Sequence, residues 1–303
     1  YCFRNIVYLY FTSIMIKDYK IYTTDEAFSY CSQIAKSNYE NFPVGSVIIP
    51  KKIRHHFHSI YAFARLADDF ADETGLLEEE RIILLDDWSD KLDKVYLGEA
   101  EHPIFVALLQ TIKEKNIPKL LFQDLLRAFK LDVYNKGFNA TTDLIVYCAY
   151  SANPIGRLIL YLYDLASDER CELSDKLCTG LQLANFWQDV SEDIPRNRIN
   201  VPIESINFFG YSLKELKSLE FNNKFREVME YHTDHAINML NQGFELIEMI
   251  PNKQLRIELL LTFFGGMEIL LKIKSMDFNV LNFRPKITTL DKIKILFKSL
   301  KYS

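Results

Sequence analysis

Glycine and proline are scarce, 10 and 9 in 303 residues. Alternating strand patterns are also hard to find, which disfavours a turn-rich sheet protein and leaves a chain that reads as nearly all helix. The five cysteines, Cys2, Cys31, Cys148, Cys171 and Cys178, are odd in number, widely scattered and without a C-x-x-C pair. That pattern argues against a zinc ribbon or a disulfide framework, and the thiols read as reduced in a cytoplasmic protein. No long Lys/Arg block precedes the C-terminal end and the formal net charge is -5, so no electrostatic footprint for nucleic acid is present. Nor is there a Gly/Ser linker, a low-complexity tract or a repeat of fixed period, and one domain over residues 23–303 is expected.

The first residues are largely apolar from Ile6 to Ile16, too few to span a bilayer. No small-residue cleavage site follows before Lys17 and Asp18, which disfavours a signal peptide. Residues 1–22 are expected to be an N-terminal extension, with Met15 as a candidate true start.

What is present is enough apolar residue to build a large core: 49% hydrophobic against 25% charged. Helical spacing predicts helices over about 24–39, 51–73, 78–97, 102–115, 118–135, 141–166, 173–194, 212–218, 223–249, 252–276 and 288–300. Pro43, Pro50, Pro103, Pro118, Pro195, Pro202, Pro251 and Pro285 lie at or near their boundaries.

Two of these helices are apolar with one polar stripe, the inverse of an ordinary surface helix. Tyr61, Arg65, Asp68 and Asp72 are spaced 4, 3 and 4 apart, which puts them on one line at about 100° per residue. Asp69 lies at the edge, and Ala62, Phe63, Leu66, Ala67, Phe70 and Ala71 cover the other sides. Gln182, Asn185, Asp189 and Asp193 repeat the arrangement, with Glu192 beside them and Leu183, Ala184, Phe186, Trp187, Val190 and Ile194 around them. Acidic residues one turn apart are common on exposed helices, but two matched stripes on apolar helices are not. Buried carboxylates are expensive unless paired or bound to a cation, so the stripes are expected to face each other across a polar cavity. Oxygen ligands without His or Cys suit Mg2+, held by carboxylates and substrate phosphates.

The runs YAFARLADDFADE (61–73) and LQLANFWQDVSEDIPRNRINVP (181–202) resemble the two aspartate motifs of the squalene/phytoene synthase family. NFPVGS (41–46), YCAYSANPIGRLIL (147–160) and FWQDV (186–190) resemble most closely the bacterial hydroxysqualene synthases of the hopanoid pathway. The resemblance implies an all-α isoprenoid synthase fold, a helical bundle around a central cavity. It implies that Asp68, Asp72, Asn185, Asp189 and Asp193 hold Mg2+ on a substrate diphosphate, with Tyr61, Arg65 and Arg198 near the phosphates. Phe42, Tyr147 and Gln182 match positions lining the cavity. Presqualene diphosphate is the implied substrate, with ionisation and water capture giving hydroxysqualene, and NADPH is not expected.

There are departures from the family pattern. Gln188 stands where many relatives carry arginine, Asn200 replaces an aromatic residue, and Gly265-Gly266 fall where relatives often place tyrosine. These departures weigh against head-to-head condensation of prenyl diphosphates, which is the alternative activity; a non-catalytic isoprenoid-binding or partner protein is the alternative of another class. Phe42, Tyr147 and Phe186 are candidates to face a carbocation with their rings, against ordinary core packing.

Other signals read as ordinary structure. His55, His56 and His58 with Lys51, Lys52 and Arg54 read as a solvated basic turn, because spacing supplies no third convergent metal ligand. His232 and His235 likewise lack a ligand set. In the last segment Leu290, Ile293, Phe297 and Leu300 recur at helical spacing among Lys292, Lys294, Lys298 and Lys301. A packed terminal helix is one reading. Contact with the inner membrane surface is the other, with neighbouring pathway enzymes as further partners.

Overall fold

In the computed structural model, residues 21–37, 49–134 and 137–303 are described. The described residues form helices and no strand: α1 (Thr24–Ser37), α2 (Lys51–Asp72), α3 (Glu78–Tyr96), α4 (Pro103–Lys115), α5 (Lys119–Val133), α6 (Thr141–Ser151), α7 (Asn153–Leu162) and α8 (Asp168–Asp193). After a 3-10 turn at Ile194–Arg196 come α9 (Ile203–Phe208), α10 (Leu213–Lys217), α11 (Asn223–Gly243), α12 (Glu245–Glu248), α13 (Lys253–Ser275) and α14 (Thr289–Tyr302). The expected N-terminal extension lies, apart from its last two residues, outside the described residues.

Three expected boundaries differ. The helix predicted over 141–166 is two, broken at Ala152, because Pro154 lacks an N–H and disfavours helical geometry in the residue before it. The helix expected from 173 starts at Asp168, where the Ser167 side chain accepts from the Arg170 N–H at 3.3 Å and Asp168 and Glu169 occupy the first turn. The stretch 223–249 divides after Gly243.

Two compact units result. Of the described residues, one comprises those up to Tyr134 together with Leu158–Asp164, the other those from 137 to Arg157 and Leu165–Ser303. The first is organised around Trp88 of α3, fully buried, with its indole N–H donating to the Phe63 carbonyl at 3.3 Å. Phe63 and Phe70 of α2 and Phe105 of α4 pack on that indole, Phe105 at 4.4 Å between ring centroids. The apolar sides of α2 anticipated from spacing, Ala62, Phe63, Leu66, Ala67, Phe70 and Ala71, are all buried. At about 1.5–3 kcal/mol for each large side chain, this burial fixes which side of α2 is left for its polar stripe.

In the second unit α8 and α11 approach unusually closely. A Cβ on Gly243 would lie 2.6 Å from the Leu177 nitrogen, and one on Gly180 2.9 Å from the Leu240 nitrogen. Trp187 of α8 is fully buried beside His232 of α11, ring centroids 4.8 Å apart. Burial pushes the His232 imidazole down to about 4, so it is a neutral core ring.

The terminal helix α14 packs by an unexpected face. Asp291, Ile295 and Ser299 point inward, and Asp291 caps its own helix with Thr288 while pairing with Lys272 at 2.8 Å. Leu290, Ile293, Phe297 and Leu300 are exposed, Leu290 and Phe297 to about 70%.

Candidate active site

The first stripe lies on the C-terminal half of α2. Arg65 is its centre: one guanidinium nitrogen donates to Asp68 Oδ2 at 3.3 Å and another to Asp69 Oδ1 at 2.5 Å. Asp69, placed at the stripe's edge by spacing, is the more enclosed of the two carboxylates, 11% exposed against 41% for Asp68. Burial raises the Asp69 carboxyl above its ordinary range, opposed by Arg65, while Asp69 Oδ2 is buried without a hydrogen bond. Asp72 is exposed at the end of the helix, so the expectation of uniformly buried carboxylates fails there. The reason is its position: Asp72 is the last residue of the helix, and the chain turns to extended geometry at Glu73. Tyr61 is half-buried. Burial raises its phenol, opposed by nearby Arg65 and assisted by Asp69 and Asp68.

The second stripe lies on the C-terminal half of α8, whose other sides are buried through Leu183, Ala184, Phe186, Trp187, Val190 and Ile194. Gln182 and Asp189 are half-buried and Asn185 is exposed. Burial raises the Asp193 carboxyl, Asp189 raises it further, and Arg198 and the Asn200 side chain oppose both. The geometry behind this is a reversal of the chain. Asn197 adopts the left-handed conformation at φ 60, the Arg198 N–H returns to the Asp193 carbonyl at 3.0 Å, and buried Asn200 donates from Nδ2 to Asp193 Oδ2 at 2.9 Å. Arg198 itself is exposed and acts on the stripe through its charge.

Sequence reasoning missed Arg284. Its Nε donates to Asp189 Oδ1 at 2.7 Å and lies 3.4 Å from Glu192, and that bond, with the surrounding carboxylates, raises its own pKa. Gln188, which stands where relatives carry arginine, donates from Nε2 to the Pro285 carbonyl at 2.8 Å. The glutamine thus ties the 284–285 segment to α8, and Arg284 supplies a positive charge at the second stripe. No spacing rule connects residues 95 positions apart. Tyr147 and Phe186 lie 6.0 Å apart, and Phe138, also missed, packs on both at 5.4 and 6.2 Å. Phe42 and the NFPVGS run lie outside the described residues.

The donor set fits a hard divalent cation. Each stripe presents oxygen donors, and each holds a carboxyl raised by burial and by like-charged neighbours, a destabilisation that a bound cation relieves.

Residues 19–291 match the family model described as squalene/phytoene synthase. A hydroxysqualene synthase of Sinorhizobium fredii is 31% identical over 240 residues, covering 78% of this chain and 80% of that protein. A 15-cis-phytoene synthase of Synechococcus elongatus is 26% identical over 230 residues, 72% of this chain and 74% of that protein. The crystal structure of squalene synthase HpnC from Alicyclobacillus acidocaldarius superposes with a TM-score of 0.80 at 35% identity, covering 84% of this chain and 96% of that one.

Proposed function

The chain belongs to the squalene/phytoene synthase family and is an enzyme of that type, and within the family we propose that it ionises presqualene diphosphate and captures the cation with water. The products are hydroxysqualene and diphosphate: the C–O bond to diphosphate breaks, water adds its oxygen to carbon, and the surplus proton leaves to solvent. No reductant is consumed, so NADPH has no role. The observation that carries the reading is the second stripe of a hydroxysqualene synthase-like chain, where Gln188 positions the 284–285 segment and Arg284 holds Asp189.

Asp68 and Asp72 on α2, and Asn185, Asp189 and Asp193 on α8, would hold Mg2+. When bound, the metal neutralises charge that develops on the departing diphosphate. Tyr61 and Arg65 orient phosphate oxygens, the guanidinium through paired donors, and Arg198 adds positive charge. Asn200 aims Asp193 and opposes the rise of its carboxyl. The rings of Phe138, Tyr147 and Phe186 supply weakly nucleophilic faces to a cation, each attracting it by roughly 0.5–2 kcal/mol. Turnover in 18O-labelled water tests the chemistry. Label in the alcohol supports C–O cleavage with water capture, whereas label confined to diphosphate means hydrolysis at phosphorus and ends the reading.

The outward stripe of α14 supports a membrane-surface partner. Leu290, Ile293, Phe297 and Leu300 are exposed beside Lys292, Lys294, Lys298 and Lys301, the pattern of a helix that lies in an anionic lipid interface. No described helix is long and apolar enough to cross a membrane. A very apolar product would leave directly into such a surface. Flotation with anionic vesicles should be lost when residues 287–303 are removed; equal flotation sinks the idea.

A further inference from the structure

We propose that His55, His56 and Glu114 form a binding site for a divalent transition-metal ion of the zinc class, separate from the two aspartate stripes. The two histidines stand on the first turns of α2, and Glu114 belongs to the last turn of α4. One ligand atom from each lies within 4.8 Å of the others. The third convergent ligand that spacing on α2 could not supply therefore comes from a different helix. His56 is also not part of a solvated turn, being 2% exposed, and His58 is buried as well.

The His56 ring is prepared as a ligand by a chain of hydroxyls. Ser59 Oγ donates to the His56 carbonyl at 2.8 Å, so it accepts from Thr111 Oγ1, also at 2.8 Å. Thr111 Oγ1 has then spent its proton and accepts from His56 Nδ1 at 3.0 Å. The tautomer that follows carries its proton on Nδ1 and turns the Nε2 lone pair toward Glu114 Oε2, 3.0 Å away. Such a second partner, fixing ring and tautomer, is what metal-ligating histidines ordinarily possess.

Glu114 is oriented too, its other oxygen accepting from Gln110 at 2.5 Å, and Phe28 of α1 packs edge-on against both imidazoles. Burial draws both imidazoles below their ordinary range, while the Gln110 bond lowers the Glu114 carboxyl. Near neutral pH a bare nitrogen lone pair therefore faces an ionised carboxylate, and a cation between them relieves the repulsion. Tetrahedral zinc with bonds of about 2.0–2.1 Å separates its ligand atoms by roughly 3.3 Å, close to the His56–Glu114 spacing. Half-buried His55 and exposed Glu114 have room to close the wider gap. Two nitrogens and one oxygen suit Zn2+ over Mg2+, and three protein ligands leave a position open. The bound ion would clamp α4 to the helix that carries Tyr61, Arg65 and Asp68.

The test uses the full chain, stripped of metal, equilibrated with Zn2+ in excess Mg2+ and desalted before metal is counted by atomic emission. Wild type should retain one Zn2+ per chain and gain thermal stability from it. His55→Ala and Glu114→Gln, both at accessible side chains, should bind at least tenfold more weakly and lose the gain. Retention by wild type and both variants alike would assign the zinc to the aspartate stripes and overturn the proposal. No retention by wild type would overturn it too, leaving a proton as the only occupant, as an imidazolium–carboxylate pair.

Discussion

Replacing Arg284 with methionine removes a basic side chain bonded to Asp189 while leaving the length of the aliphatic stem. The lost contacts are a hydrogen bond at 2.7 Å to Asp189 and an ion pair at 3.4 Å to Glu192. A hydrogen bond between charged groups contributes about 1.5–3 kcal/mol. Arg284 and Asp189 are 29% and 21% exposed, and solvent screening reduces the figure to about 1–2 kcal/mol. If that energy holds Asp189 in the geometry required for turnover, kcat/KM falls by a factor of about 5–30. The assay is release of diphosphate from an isoprenoid diphosphate at limiting and saturating Mg2+, with Arg284→Lys as the partial rescue. A Tm within about 4 °C of wild type keeps unfolding out of the explanation. Activity of Arg284→Met within twofold of wild type, with the same Mg2+ dependence, would refute the argument that this arginine replaces the charge missing at Gln188.

Three other perturbations follow from the same contacts. Asn200→Leu removes the bond that opposes the rise of the Asp193 carboxyl, so the acidic limb of the pH–rate profile should move to higher pH; an unmoved limb would divorce Asn200 from Asp193 ionisation. Burial raises Glu258 to about 7. Its folded pKa exceeds its unfolded value, so the associated stability is present below the unfolded value and lost as pH rises through 7. Glu258→Gln should therefore raise Tm at pH 8 with little change at pH 5, and equal shifts at both would contradict this. Gly243→Ala drives a methyl to 2.6 Å from the Leu177 nitrogen and should cost about 1–3 kcal/mol as overpacking, read as a fall in Tm; an unchanged Tm would show that α8 and α11 can separate freely.

The helical class, most helix positions and both stripes were legible because burial of one helix side leaves a periodic record: the apolar residues around the stripes are the ones found buried. Boundaries failed where a single residue overrode periodicity. Pro154 splits a pattern that continues apolar on both sides, and the Ser167 cap with Asp168 and Glu169 was a readable start signal passed over in favour of the apolar run behind it. Contacts between distant segments were not legible. Arg284 on Asp189, Glu114 beside His56, and Phe138 against Tyr147 arise from packing across the chain, and nothing local encodes them. The terminal helix carries the opposite lesson. Its apolar stripe was correctly located, yet a capping aspartate paired with Lys272, together with Ile295 and Ser299, turns the other face inward.

The most direct test of the account is a product analysis with purified enzyme, Mg2+ and presqualene diphosphate in the absence of NADPH, run beside the same mixture with farnesyl diphosphate alone. Hydroxysqualene and diphosphate from the first mixture, with no product from the second, is the predicted result. Head-to-head condensation of farnesyl diphosphate would contradict it and make the chain a condensing synthase, and inactivity in both mixtures would contradict any catalytic role for the two stripes.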